Sequence, residues 1–174
     1  MKEVRGEMWE LAPQYDAVCI TTNGFVKSNG EAVMGRGCAK QAARKWPKLP
    51  VVLGERIKTR GVYCAQLLRT SGFTLFSFPV KPASVIVAQD KSNIVRHMRK
   101  KFAPGQTAPG WAAVADLSII EESARQMKLW IDSKPEYKTC ILPRPGCGAG
   151  ELTWEQVKPV LEKHLDDRFT VVTY

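Results

Sequence analysis

Histidine is scarce in this chain: His97 and His164 are the only two in 174 residues. That leaves no histidine cluster for a metal and confines histidine acid–base chemistry to isolated positions. The cysteines, Cys19, Cys38, Cys64, Cys140 and Cys147, are odd in number and widely spaced, with no close pair. They suggest neither a disulfide framework nor a zinc site, and no metal or resident cofactor is expected. No apolar run approaches the length of a membrane span, and Met1-Lys2-Glu3-Val4-Arg5 lacks the layout of a signal peptide. A cytoplasmic, monomeric protein without a membrane partner is therefore expected. Acids are also few: 17 against 26 lysines and arginines leave a formal charge of +9. This favours polyanionic partners or anionic substrates without distinguishing between them.

Glycine, by contrast, is concentrated where it can act. Gly146-Cys147-Gly148-Ala149-Gly150 lies between an apolar run, Thr139 to Leu142, and a well-marked helix. Such a loop lets backbone amides approach a ligand, and consecutive amides of this kind bind phosphate oxygens. A second loop, Met34-Gly35-Arg36-Gly37, also follows an apolar run and opens a helix. Either loop alone is more simply an ordinary strand-to-helix turn; together they point to a phosphate ligand.

The run Asp16 to Asn23 is β-branched and apolar without helical period, as in a strand buried on both faces. From Gly37 to Trp46 the positions Cys38, Ala39, Ala42, Ala43 and Trp46 recur at helical spacing, and Pro47 stops the helix. Val62–Leu68 and Phe73–Val80 predict two more strands joined by Ser71-Gly72, with Lys81 at the exit of the second. Asp116 caps a predicted helix running to about Asp132 on the apolar set Ile120, Ala124, Met127 and Ile131. Thr153-Trp154-Glu155-Gln156 has the form of a capping box, and Phe169 to Tyr174 closes the chain as a strand. His164, near the end of that last helix, is expected to complement its dipole. The alternation implies an α/β fold, three layers α/β/α, with a mixed central sheet and helices on both faces. Ligands in such sheets bind at the carboxyl ends of the strands, where both glycine loops fall.

Residues 82–115 break the alternation. They hold Pro82, Pro104, Gly105, Pro109 and Gly110 and a cationic run with Lys91, Arg96, Arg99, Lys100 and Lys101. The plain expectation is a solvated basic excursion; the sharper one is a lid or a polyanion contact inserted in a single domain of residues 1–174.

In the order and spacing of these motifs the chain resembles a macro domain, the α/β module that binds ADP-ribose. The strand ending in Asn23 followed by Val33-Met34-Gly35-Arg36-Gly37-Cys38-Ala39 is similar to that family's first loop and helix. Pro143-Arg144-Pro145-Gly146-Cys147-Gly148 through Leu152-Thr153-Trp154-Glu155 resembles the second phosphate loop of a branch that includes terminal ADP-ribose protein hydrolases and ADP-ribose-1''-phosphate phosphatase-like proteins. The likeness covers nearly all of the chain except residues 82–115. It implies that Glu7, beside Met8, accepts from the adenine amino group where the family usually has aspartate. It further implies that Asn23 contacts the distal ribose, that Met34, Gly35, Arg36 and Gly37 surround that ribose and the diphosphate, and that Gly146, Cys147, Gly148, Ala149 and Gly150 form the second clamp. Tyr174 falls near the position whose ring packs on adenine. The capping box satisfies the amides of its own helix, so the loop amides rather than that helix's dipole are expected to hold phosphate.

In the hydrolase branch the resemblance implies a lysine that attacks the anomeric carbon and an aspartate just after the second loop that moves a proton. Lys81 matches the lysine, and on a strand end it is otherwise a solvated side chain or a phosphate contact. The aspartate position falls on Gly150, and Glu151 beside it would point elsewhere. Two classes of function follow: an enzyme that hydrolyses an ADP-ribosyl ester or ADP-ribose-1''-phosphate, with Asn23 and Lys81 as its catalytic candidates, or a reader that binds ADP-ribose or an ADP-ribosylated partner without chemistry. A third is association with nucleic acid through the basic insertion, with aromatic interleaving limited to Phe102 and Trp111.

Overall fold

The computed structural model describes residues 1–174. The chain runs β1 (Lys2–Arg5), α1 (Met8–Leu11), β2 (Ala17–Thr22), α2 (Gly37–Lys45), α3 (Leu49–Arg60), β3 (Gln66–Arg69), β4 (Thr74–Pro79), β5 (Ser84–Ile86), β6 (Thr107–Pro109), α4 (Leu117–Ser133), β7 (Cys140–Pro143), α5 (Trp154–Glu162) and β8 (Phe169–Thr173). Six strands make the main sheet in the order β1-β8-β7-β2-β4-β3. All neighbours are parallel except β3 and β4, which form the antiparallel hairpin expected around Ser71-Gly72. The sheet is mixed, as the alternation implies.

Side-chain alternation along the strands divides the core in two. Ala17 and Cys19 of β2, Phe76 and Phe78 of β4, Cys140 and Leu142 of β7 and Phe169 and Val171 of β8 pack under α4 and α5. Their neighbours Val18, Ile20, Leu75, Ile141 and Val172 face the opposite way, toward α1, α2 and α3. A strand with both faces covered has no polar side to show, which is why these runs read as continuous apolar stretches. Phe76 is held from two sides, with ring centroids 5.2 Å from Trp130 and 5.5 Å from Tyr137. No helix is long and apolar enough to cross a membrane.

The register of the central strand is set by Asp16. Its carboxylate Oδ2 accepts from the N–H groups of Lys138 (2.8 Å) and Thr139 (3.1 Å), and its carbonyl accepts from the N–H of Thr74 at 2.9 Å. One residue thus fastens the start of β2 to the starts of both β7 and β4. Asp116 caps α4 by accepting from Ser118 and Ile119, and the Thr153–Gln156 capping box is reciprocal.

Three elements escape the sequence patterns. β1 carries mostly charged residues on a sheet edge, so it has no apolar alternation. α1 is a single short turn. α3 hides behind Pro50 at its start and Gly54 in its middle, where a Cβ would lie 2.0 Å from the carbonyl oxygen of Gly30; the glycine serves this close approach. His164 lies just past the C-terminal end of α5, as expected, and its Nε2 is also 3.1 Å from Glu121 Oε1, which ties that end of α5 to α4.

Residues 82–115 differ most from the plain expectation. They contain the β5–β6 hairpin, a 3-10 turn at Arg96–Lys101 and a small core of Val87, Ile94, Val95, Met98, Ala108 and Ala112. Part of the cationic run is turned inward: Lys91 Nζ donates to the Arg99 carbonyl (3.0 Å) and Arg99 Nε to the Ile94 carbonyl (3.0 Å). Only Arg96, Lys100 and Lys101 of that run stay exposed.

Replacing Asp16 by alanine is expected to lower unfolding stability by about 2 kcal/mol, because two backbone donors lose a charged acceptor. Asp116→Ala should cost about 1 kcal/mol, the usual loss of a helix cap. Urea denaturation of both variants checks the order and the sizes.

Candidate functional site

Because the five strands β1, β8, β7, β2 and β4 run parallel, their carboxyl ends share one edge of the sheet. A cleft of about 970 Å³ opens there, large enough for a dinucleotide-sized ligand. Both glycine loops line it. On one side are Met34, Gly35, Arg36 and Gly37, and on the other Gly146, Gly148, Ala149 and Gly150. The N–H groups of residues 34–37 and 148–150 donate to no protein acceptor. Two sets of unclaimed amides thus border one space, as an anion requires.

Asn23 sits between the loops, just beyond β2. Its Oδ1 accepts from the Phe25 N–H (2.9 Å) and its Nδ2 donates to the Val33 carbonyl (3.0 Å). These bonds fix the amide's orientation and leave one N–H free, so Asn23 can act on a ligand chiefly as a donor. Beside it, Thr22 is buried, lines the cleft, and its Oγ1 has no partner. A buried hydroxyl left unpaired is costly unless something polar meets it. Nothing in the sequence distinguished Thr22 from the rest of its strand.

Lys81 is not solvated. It is 7% exposed, and its Nζ donates to the carbonyls of Trp111 and Ala149, both at 3.2 Å. Burial is the main reason that its pKa is lowered to about 8; the Glu151 charge opposes the shift and the Arg36 charge adds to it. A neutral amine has two N–H bonds, and here two carbonyls take them, leaving the lone pair unclaimed by any protein donor. The sign for stability follows from linkage: the unfolded chain holds the proton above pH 8 where the folded chain has released it. Lys81 burial therefore opposes folding most fully below about pH 8, and that opposition fades as pH rises toward the ordinary lysine value.

The insertion supplies one wall of the cleft, with Val95, His97, Met98, Lys101 and Trp111. His97 Nε2 lies 3.1 Å from Arg36 Nη2. A guanidinium can only donate, so in this contact the imidazole nitrogen is the acceptor. The second loop is stiffened at its base, where the Arg144 guanidinium stacks 4.7 Å from the Trp154 ring and Glu3 accepts from Trp154 Nε1 at 3.0 Å. No group of three or more His, Cys, Asp or Glu side chains could hold a metal ion.

Other candidates are placed differently. Met8 is fully buried in the core under α2 and α3 and does not line the cleft, so only its main chain can reach a ligand. Glu7 is exposed and also lies outside the cleft lining, although its charge, after partial burial and the Cys38 thiol, helps raise the Tyr174 hydroxyl's pKa. Tyr174 does line the cleft and is 60% exposed. Cys147 turns away, its Sγ 3.6 Å from the Pro145 carbonyl and its side chain against the α4–α5 core.

Gly150 has a steric reason to be glycine. A Cβ there would lie 2.6 Å from Ala115 Cβ and 2.6 Å from the Gly146 carbonyl oxygen. No acid fits at this position. The next residue, Glu151, projects into the cleft lining instead of pointing elsewhere, through a backbone φ of 64°. That left-handed conformation is uncommon outside glycine, and no sequence pattern announced it.

The chain matches no protein-family model and no curated protein. Solved structures are similar to it nonetheless. The macrodomain of Thermus aquaticus DarG is 22% identical, with a TM-score of 0.67 over 99% of this chain and 96% of that one. The macrodomain of Mycobacterium tuberculosis DarG is 18% identical, with a TM-score of 0.66 over 99% of this chain and 97% of that one. Thermosipho africanus DarTG, in complex with ADP-ribose, is 17% identical with a TM-score of 0.67; the match covers 98% of this chain and 41% of that one. The fold is therefore that of a macrodomain, with the three-layer α/β/α arrangement described above.

The two exposed and buried glycines of the second loop should behave oppositely. Gly150→Ala is expected to lower stability by about 1–3 kcal/mol through overpacking. Gly148→Ala, with nothing within 4 Å of its Cβ, should leave the melting temperature within about 1 °C of the unmodified protein, a shift of less than about 0.5 kcal/mol. Thermal denaturation of the two variants makes the comparison.

Proposed function

We propose that the cleft binds ADP-ribose and that the protein hydrolyses an ADP-ribosyl conjugate, with Lys81 as the nucleophile. The observation that carries the binding reading is the pair of facing loops whose N–H groups are unclaimed. A diphosphate between them would be surrounded by amide donors without a metal, Tyr174 would meet the adenine end, and the free Nδ2 hydrogen of Asn23 would reach a ribose oxygen. One of the similar structures is a complex with ADP-ribose, which supports the same choice of ligand.

Lys81 favours an enzyme over a reader. A reader has no use for a buried amine whose pKa is lowered to about 8, whereas a nucleophile must be neutral at working pH. At pH 7 roughly one-tenth of such an amine is unprotonated. Its nitrogen lone pair would form a bond to the anomeric carbon as the bond from that carbon to the leaving oxygen breaks, the electron pair departing with the oxygen. Water then releases the ribosyl group from the lysine.

The leaving group would lie against the insertion wall. There His97 and Lys101 stand beside Val95, Met98 and Trp111, a mixture that suits an aromatic or anionic attachment. This observation favours nucleic acid as one class of conjugate, alongside ADP-ribosyl esters and ADP-ribose-1''-phosphate.

Calorimetry with ADP-ribose is the first test, and no binding at high ligand concentration would overturn the reading. Gly148→Val should weaken binding by about tenfold through obstruction of the loop amides, about 1.4 kcal/mol. Turnover is then assayed on ADP-ribose-1''-phosphate, an ADP-ribosylated glutamyl peptide and an ADP-ribosylated oligonucleotide. The rate should rise with pH through about 8, as the Lys81 amine loses its proton. Lys81→Arg keeps a cation that cannot deprotonate; it should retain affinity and lose turnover. A Lys81→Arg variant that turns over normally would leave the protein a binder with some other chemistry.

A further inference from the structure

We infer that the exposed face of α2 and α3 binds the sugar–phosphate backbone of nucleic acid, without regard to sequence and outside the cleft. Residues 36–60 hold eight lysines and arginines and one acid, Glu55, so they carry seven of the nine excess positive charges of the whole chain. All eight basic residues are exposed, and none makes an ion pair. The opposite side of the sheet differs. On α4, α5 and the turn after α5, Arg125, Lys128, Lys158 and Arg168 each pair with a carboxylate. The exposed acids nearest in the fold to the basic face, Glu55 on α3 and Glu10 on α1, leave its cations unmatched.

Helix stability does not account for this pattern. A cation in the last turn complements the helix dipole, which explains Arg44 and Lys45 in α2 and Lys58 and Arg60 in α3. It does not explain Lys48 at the N-cap of α3, or Lys40 near the start of α2, and neither of these lines the cleft. There the dipole repels a positive charge, and neither helix has an acid in its first turn. Lys40 and Arg44, like Arg56 and Arg60, are also four residues apart on one helix face, where like charges repel. Cations kept at positions that disfavour them point to an anion from outside.

The class of that anion follows from what the face lacks. Val51 is the only large hydrophobic residue exposed on it, so it has no apolar centre for a protein partner and no apolar side to enter a lipid surface. A repeating polyanion asks instead for cations spread over a surface. Lys45 and Arg60 rest on aromatic rings, 5.5 Å from the Trp9 centroid and 4.6 Å from that of Tyr63, which restrains them without neutralising them. The face begins at the cleft mouth, lined by Arg36 and Gln41, and continues through Lys40, Arg44 and Lys48. The insertion is turned to the cleft instead: Lys91 and Arg99 fold inward, and the Arg96 N–H donates to Glu151 Oε2 at 2.9 Å.

Fluorescence anisotropy tests this with a labelled single-stranded oligodeoxynucleotide, and with its duplex, neither carrying ADP-ribose. Both should bind, with log affinity falling linearly with log salt concentration. Lys40→Gln, Arg44→Gln and Lys48→Gln combined should weaken single-strand binding by about tenfold or more and flatten the salt slope by about 2, the loss of three phosphate contacts. The same variant should keep its melting temperature and its affinity for ADP-ribose. Lys134→Gln, Lys138→Gln and Lys163→Gln remove equal charge from exposed positions at the ends of α4 and α5 and before β7. That second variant should bind the oligonucleotide within about twofold of the unmodified protein. No retention of either oligonucleotide, or equal losses from the two triple variants, would overturn the proposal. So would retention of phosphatidylserine vesicles by the unmodified protein in place of the oligonucleotide. Neither Lys81 nor ADP-ribose takes part, so a protein that ignores ADP-ribose but binds the oligonucleotide through α2 and α3 would sink the reading of the cleft and uphold this one.

Discussion

The parallel register of β2 between β4 and β7 is the constraint on which the remaining structure depends. Asp16 fixes it at one end, holding the amides that begin β7 and accepting at its carbonyl the amide that begins β4. Once three adjacent strands start level and run the same way, their exits are level too. Asn23, Lys81 and the second glycine loop then emerge side by side, although they are far apart in sequence. A one-residue slip would send alternate side chains to the wrong face. It would bring Val18 and Ile20 under α4 and α5 and separate the exits that make the cleft.

On that edge the chain places opposite kinds of hydrogen-bonding group in different jobs. Backbone amides of the loops remain unclaimed and suit an anion, whereas backbone carbonyls of Ala149 and Trp111 converge on one amine. The carbonyls keep Lys81 hydrogen-bonded in a place where a full charge is disfavoured by burial. Arg36 adds a second positive charge nearby, and Glu151 a compensating negative one. The insertion is integral to this arrangement. It supplies Trp111 for the amine, Arg96 for the carboxylate and His97 for the guanidinium, and it has a small apolar core to hold those positions.

Much of the fold was legible because it repeats local rules. The strands buried on both faces, the amphipathic α2, the Asp116 cap and the Thr153–Gln156 box each follow from residues within a few positions of one another, where periodicity and capping chemistry operate. The loops could be recognised as amide-rich for the same reason. β1 and α3 were not legible. A charged edge strand has no alternation to read, and Gly54 interrupts α3 for the sake of Gly30, a residue two dozen positions away.

The amino-acid sequence alone determined which backbone could bind an anion, because glycine content and strand-to-helix transitions are local. It also identified Asn23 and Lys81 at strand exits, since burial on both faces marks where a parallel strand ends. Tertiary structure alone decided how those groups are poised. Whether Lys81 is a solvated cation or a buried amine depends on carbonyls 30 and 68 positions away. Whether an acid can stand after the second loop depends on Ala115 filling the space beside Gly150, and on a left-handed turn that swings Glu151 into the cleft. Desolvation and steric exclusion are properties of surroundings rather than of a residue, and only the folded chain provides surroundings.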